Sequence, residues 1–152
     1  LAGGMTLMLA TDLRGTADHA TFALSEVKRG IIPANGGTQR LPAQLPHAIA
    51  MELLLIGDSI DAQTAARWGL VNRVVPADQV MATAIELARR VAANAPLAVQ
   101  AIKELALRGQ QADLAAGLRF EQLVQNTLQR TEDAAEGRQA FAEKRSPRFT
   151  GS

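Results

Sequence analysis

An α/β arrangement is predicted for the first half of this 152-residue sequence, with a helical region after it. Two observations carry the prediction. Up to Pro76, glycines and prolines cut the chain into short segments in which helical and extended patterns alternate, the order that a layered α/β fold needs. From Ala77 onward Ala, Leu, Glu, Arg and Gln dominate and apolar residues recur at helical spacing. The boundary is placed there, giving regions 1–76 and 77–152.

In the first region the opening "LAGGMTLMLATD" is an apolar run broken by a glycine pair, and "LMLATDL" after that pair predicts a short helix. "DLRGTAD" and "ATFALSE" read as two short extended segments with turn signals between them. Gly30, Pro33, Asn35, Gly36 and Gly37 predict a loop. Thr38 to Leu41 then start a helix that Pro42 is expected to interrupt, because proline lacks the N–H that the helix ladder uses. "HAIAMELLLIG" from His47 reads as a buried helix ended by Gly57. Asp61 is a candidate N-cap for a helix of a turn or two, and Gly69 stops it before the strand "LVNRVV".

The second region reads as four helices. Met81, Ile85, Ala88 and Ala92 share one helical face, Ala98, Ala101, Ile102 and Leu105 a second, and Leu114, Leu118, Val124 and Leu128 a third. Thr131 is placed to cap the fourth, with Glu132 and Asp133 where the helix dipole favours negative charge. Four such helices cannot close a fold alone, so they are expected to pack on the first region or on another subunit.

Composition excludes several function classes. Sixteen Lys and Arg balance fifteen Asp and Glu for a net charge of +1, which supplies no electrostatic reason for nucleic acid or an anionic membrane as partner. There is no cysteine, hence no disulfide framework, no thiolate nucleophile and no Cys-type zinc site, and a reducing cytoplasm is the expected location. The opening run reaches Asp12 and Arg14 too soon to span a bilayer, and it lacks the charged start and cleavage site of a signal peptide. It reads as protein interior. His19 and His47 stand apart from any metal-ligand spacing, so no metal is expected. No serine sits in a G-x-S-x-G elbow, and "PANGG" lacks the spacing of a phosphate-binding P-loop.

Both glycine clusters fit close backbone packing when taken singly. A glycine pair opening a helix has a second use: it exposes unpaired N–H groups with no side chain in the way, the geometry that stabilises an oxyanion. Glu26 lies between an apolar segment and the glycine loop. Burial there would raise its pKa toward that of a working acid/base. The competing reading, a solvated partner for Lys28 or Arg29, is equally compatible with this stretch.

The order of these pieces resembles a known family. "LAGGMTLMLATDLRGTADHATFALSEVKRGIIPANGGTQRLP", then "AMELLLIGDSIDAQTAARWGLVNRVVP", then "EDAAEGRQAFAEKRSPRF" are similar, over essentially the whole chain, to the crotonase (enoyl-CoA hydratase/isomerase) superfamily. The resemblance implies a spiral core of ββα turns, of which 1–76 is the C-terminal part, and a helical C-terminal region that mediates trimers, often paired into hexamers. It also implies that family members carry a substantial segment before the glycine motif, so this chain is expected to correspond to a C-terminal part of such a protein. An acyl-CoA thioester is the implied substrate. Coenzyme A is then part of the substrate, and no separate cofactor is implied.

Residue by residue, the resemblance places Gly3 where one of two backbone N–H donors meets the thioester oxygen. Two such donors let the carbonyl take enolate character and lower the barrier to proton transfer at the adjacent carbons. Glu26 falls on the family's catalytic glutamate. Hydratases carry a second glutamate three residues after the oxyanion glycine, and here that place is Thr6, whose hydroxyl can hold a water but is no carboxylate base at neutral pH. The resemblance implies an acyl-CoA enzyme of this family, nominally an enoyl-CoA hydratase, with Glu26 as the acid/base and the Gly3 N–H polarising the thioester. One-glutamate chemistry such as double-bond isomerisation is the alternative, and Thr6 separates the two, with isomerisation expected to outrun hydration. Ala34 replaces a frequent glycine in the loop and keeps its N–H toward the reacting region if its φ is negative. Phe141 and Lys144 match positions that approach the CoA nucleotide, commonly from a neighbouring subunit; a helix-end cation favoured by the dipole is the competing account of the lysine. "RLPAQLP" and "AFAEKRSP" are similar to carnitinyl-CoA dehydratase-like members. A non-catalytic binding or assembly module on the same fold is the remaining alternative.

Overall fold

The computed structural model describes residues 1–109 and 111–152. By backbone contacts the chain divides into two compact units, Leu1–Leu87 and Ala88–Ser152. The change in composition at Ala77 thus precedes the change in contacts, which falls inside a helix.

The first unit contains four short strands and four short helices, alternating as expected. Helix α1 spans Gly3–Met8, so it begins on the glycine pair itself rather than after it. Ala2 takes the non-helical angles, and from Gly3 onward the turn is set by burying Met5 and Leu9, each 1% exposed, on one face. Continuing through Leu13 as expected would gain no further burial: the chain turns at Thr11, whose hydroxyl donates to the Met8 carbonyl at 2.7 Å. Strand β1 (Gly15–Ala17) pairs in parallel with β4 (Arg73–Val75), and β2 (Thr21–Phe22) pairs antiparallel with β3 (Ile60–Asp61). Only the last part of "LVNRVV" is strand. Leu70 and Val71 go into the core instead.

Helix α2 runs Gly37–Gln44 with Pro42 inside it, so the proline does not interrupt as expected. One ladder bond is lost, but Leu41 at 0% and Leu45 at 5% exposure anchor the helix on both sides of the ring. Helix α3 (His47–Leu55) ends at Gly57, which takes a left-handed φ of 71°. It is less buried than its composition suggests, with Ala50 and Leu53 inside and Leu55 largely exposed. Helix α4 (Ala62–Arg67) is capped by Asp61, whose carboxylate accepts from the Thr64 N–H at 2.7 Å, and it stops at Gly69. These elements enclose one apolar cluster that includes Met5, Leu9, Leu24, Leu41, Leu53 and Leu70. Arg14 braces its rim by donating to the carbonyls of Thr11 and Leu70 and to the side chain of Gln44 at 2.7–3.0 Å.

Helix α5 (Val80–Ala92) carries the unit boundary. The second unit holds α6 (Pro96–Gly109), α7 (Leu114–Leu128) and α8 (Glu132–Glu143), which completes the four helices anticipated. Thr131 caps α8 by accepting from the Ala134 N–H, and Asp113 caps α7 in the same way. The apolar faces of α6 and α7 meet along a groove of about 520 Å³ lined by Ile102, Leu105, Leu118 and Val124. The closing segment folds back on α8: Asp133, 3% exposed, accepts from the N–H groups of Thr150 and Gly151 at 2.7 and 2.9 Å. Among the described residues no helix is long and apolar enough to cross a membrane.

Candidate active site

Gly3, Thr6, Glu26 and Ala34 all belong to the first unit, whereas Phe141 and Lys144 belong to the second. Gly3 is the first residue of α1, where helical N–H groups lack intrahelical acceptors. A side-chain carbon added at Gly3 or Gly4 would meet no atom of the chain within 4 Å. Crowding within the chain therefore does not demand these glycines, and their open faces suit close approach of a ligand. The preceding Ala2 adopts φ 48° and ψ −122°, a region that non-glycine residues enter only under strain, and strain of this kind gathers at functional sites. Its carbonyl accepts from the Thr6 N–H at 3.0 Å, which fixes the plane of the Ala2–Gly3 peptide and points the Gly3 N–H away from the helix.

The Ala2 N–H donates to the Ala23 carbonyl at 2.8 Å, tying the entry of α1 to the segment that leads into Glu26. Leu24, wholly buried, anchors that segment, and Glu26 follows in a 3₁₀ turn, Ser25–Arg29, closed by the left-handed Gly30. The turn answers the question that sequence left open. Lys28 pairs with Asp58, and Arg29 donates to the carbonyl and hydroxyl of Ser25, so neither cation is committed to Glu26. The Glu26 Oε2 is instead buried with no hydrogen-bond partner. An unsatisfied buried carboxylate oxygen is costly, and it is the state expected of a group kept ready for a ligand or a proton.

Thr6 is 5% exposed, and its hydroxyl makes only a long contact, 3.4 Å, to the Ala2 carbonyl. It faces Gly37: a side-chain carbon there would come within 3.3 Å of the Thr6 Oγ1 and 2.9 Å of the Pro33 Cβ. Glycine at the start of α2 thus lets the 33–37 loop close onto α1. Asn35 and Gly36 take successive left-handed conformations, and the Arg40 guanidinium folds over them to reach the Asn35 carbonyl at 2.8 Å. The Ala34 N–H is committed within the loop, donating to the Ile32 carbonyl at 2.8 Å, although its φ is not positive.

Phe141 is 88% exposed on α8, and Lys144 occupies the left-handed position that ends the helix, at φ 56°. Beside it Arg145 grips Glu136 through two bonds of 2.6 and 2.9 Å and also reaches Glu143. The bonds to Arg145 hold the Glu136 carboxyl down at about 2, and a hydrogen bond from Gln139, with the Arg145 bond second, lowers that of Glu143. The histidines carry no site chemistry: His19 is exposed beside Asp18, and His47 is an exposed first residue of α3. Sequence reasoning placed Gly57 as the stop of a helix and gave it no part in the site, yet it lies against the Glu26 turn.

Helix α1 thus opens on two glycines with no side chain in the way, and its entry is tied through Ala2 and Ala23 to the segment that carries Glu26, whose Oε2 is buried without a partner. The family model for enoyl-CoA hydratase/isomerase matches residues 1–152. The chain is 44% identical over 155 residues to a carnitinyl-CoA dehydratase of Citrobacter koseri, covering 98% of this chain and 59% of that one. It is 41% identical to an (E)-benzylidenesuccinyl-CoA hydratase of Thauera aromatica, covering 100% of this chain and 59% of the relative. Among solved structures, an enoyl-CoA hydratase from Bacillus anthracis superimposes with TM-score 0.95 at 43% identity, covering 99% of this chain and 58% of that one. One from Mycobacterium tuberculosis gives TM-score 0.95 at 40% identity, over 99% and 60% of the two chains. The chain belongs to the enoyl-CoA hydratase/isomerase family and carries its crotonase-type fold. It spans about three-fifths of the length of the curated relatives it matches.

Proposed function

We propose that the protein carrying this chain acts on an acyl-CoA thioester through an oxyanion-stabilised enolate. The observation that carries the reading is the buried, unpartnered Glu26 Oε2. The thioester oxygen accepts from the Gly3 N–H and from a second donor that the family places before this motif. Polarisation makes the adjacent C–H acidic, Glu26 takes its proton, and the same carboxyl returns it to carbon. With Thr6 at the second glutamate's place, double-bond isomerisation needs nothing more, whereas adding water needs a base that the threonine does not supply.

A second reading, dehydration of a 3-hydroxyacyl-CoA such as carnitinyl-CoA or the reverse addition of water to the enoyl-CoA, is favoured by the names of the relatives at 41–44% identity. There Thr6 holds the departing or entering water. Phe141 and Lys144 serve the CoA nucleotide in either case, and assembly into trimers or hexamers would cover the apolar side chains that α6 and α7 leave exposed.

The test is to assay the full-length protein against a panel of acyl-CoA thioesters. Glu26→Gln is expected to lower kcat about 10²–10⁴-fold, with Thr6→Ala altering hydration more than isomerisation. Hydration of crotonyl-CoA that is fast and indifferent to Thr6→Ala would remove the role given to Thr6. Binding of acyl-CoA with no turnover of any thioester would leave a binding module in place of an enzyme.

A further inference from the structure

We propose that Gly57 is a positioning residue for the Glu26 carboxylate: its bare backbone seats the 3₁₀ turn that aims Glu26, and the reaction depends on that seat. This rests on the reading of Glu26 as the proton-transferring group. Gly57 follows α3 at φ 71°, and a side-chain carbon built on it would lie 2.9 Å from the Val27 Cγ1, 3.2 Å from the Leu24 carbonyl oxygen and 3.4 Å from the Ser25 Cα. Those three residues flank Glu26 on both sides. The next residue, Asp58, pairs with Lys28 on the far side of the turn.

The 57–58 corner therefore grips the turn at Leu24, Ser25, Val27 and Lys28, while Glu26 is left without a hydrogen bond of its own at Oε2. A carboxylate with no partner to orient it takes its direction from its backbone, and the backbone here takes its place from Gly57. Both side chains of the Lys28–Asp58 pair are well exposed, so the pair adds little on its own. The close backbone approach at Gly57 is the stiff element, because two of the three nearest atoms belong to the main chain of the turn. A methyl group at Gly57 displaces the Val27 side chain and presses on the Leu24 carbonyl, and a shift of that main chain by a few tenths of an ångström carries Glu26 with it.

The experiment is steady-state kinetics on the full-length protein with the acyl-CoA substrate that it turns over fastest. Gly57→Ala is expected to reduce kcat severalfold, up to about 10-fold, since the main chain must give by only a fraction of the ~1 Å misplacement that can cost ~10²-fold, with KM changed less than about threefold. In a Glu26→Gln background the same substitution should cost almost nothing further, since no base remains to be misplaced. Val27→Ala supplies the second arm. Alone, it loosens the turn and lowers kcat severalfold with the melting temperature nearly unchanged; combined with Gly57→Ala, it removes the nearest obstructing atom and raises kcat above that of Gly57→Ala. A general loss of stability cannot produce that reversal of sign.

If Gly57→Ala does not accumulate as folded protein, Gly57→Asn, which tolerates the left-handed φ while adding the same side-chain carbon, takes its place, and an unaltered kcat in that folded variant overturns the proposal. Gly57→Ala that lowers the melting temperature but leaves kcat intact overturns it too, while a crippling Glu26→Gln in the same series keeps the reading of Glu26. Full activity in Glu26→Gln removes both.

Discussion

The two units of the chain solve burial in different ways. Leu1–Leu87 contains the whole apolar cluster, with Leu24 and Leu41 at 0% exposure and short elements folded around them. In Ala88–Ser152 the long helices α6 and α7 bury no residue completely, and Ile102 at 66% and Leu118 at 54% exposure look outward. The closing segment of the second unit is held by polar contacts: the Asp133 carboxylate on the backbone of Thr150 and Gly151, and Arg145 on Glu136. A helical stripe thus states which face wants burial and leaves open what that face meets. The first unit, whose own side chains meet one another, is where the candidate chemistry sits.

The sharpest way to break this comparison is to delete one leucine from each unit. Leu41→Ala should destabilise the first unit by about 2–5 kcal/mol, the usual cost of a cavity in a close-packed core. Leu118→Ala should stay within about 0.5 kcal/mol for the chain on its own, as an exposed site does. Denaturant midpoints of the two variants measure the contrast. Equal losses would mean that α7 is packed as tightly as α2 in solution.

A smaller effect is expected at the polar closure. Asp133→Ala removes the acceptor of the Thr150 and Gly151 N–H groups, which lie at the surface where water can replace it, at a cost of about 0.5–1.5 kcal/mol. The loss should be local. Amide exchange ought to quicken in residues 145–152 while the amides of Leu24 and Leu41 stay protected, and faster exchange throughout the first unit would contradict the separation of the units.

How much of this was legible in the sequence follows the same division. Caps were readable because they are local: Asp61 and Thr131 each accept from an N–H three residues on, a spacing visible in the sequence. The helical stripes of the second region were readable as periodicity, yet not their exposure. Pro42 misled because the helix is held by Leu41 and Leu45 in the core, a tertiary effect that propensity does not contain. That the glycine pair opens α1 was readable, whereas the break that precedes it falls on Ala2, whose strained angles no sequence rule anticipates. At the site, the resemblance pointed to Glu26, but the choice between a solvated partner and an unpaired carboxylate needed coordinates, since Lys28 finds Asp58 thirty residues away. Gly57 was hidden for the same reason: its importance lies in a contact with Leu24–Val27 that only folding creates.

The smallest expected effect is also the most specific to the second unit. Arg145 and the Arg148 N–H hold the Glu136 carboxyl at about 2, below its ordinary value of 4.5. A carboxyl with a depressed folded pKa contributes stability above its unfolded pKa and loses it as pH falls toward the folded one. The contribution should therefore be complete at neutral pH and disappear between about 4.5 and about 2. Because the pair faces solvent it is screened, and added salt should shrink it further. Glu136→Gln isolates it: the variant should release the 145–152 segment more readily than the parent at pH 7, by amide exchange or limited proteolysis, and match the parent near pH 2. A difference that persists unchanged at pH 2 would mean that the segment is held by something other than the charge on Glu136, and Asp133 alone would then account for its closure.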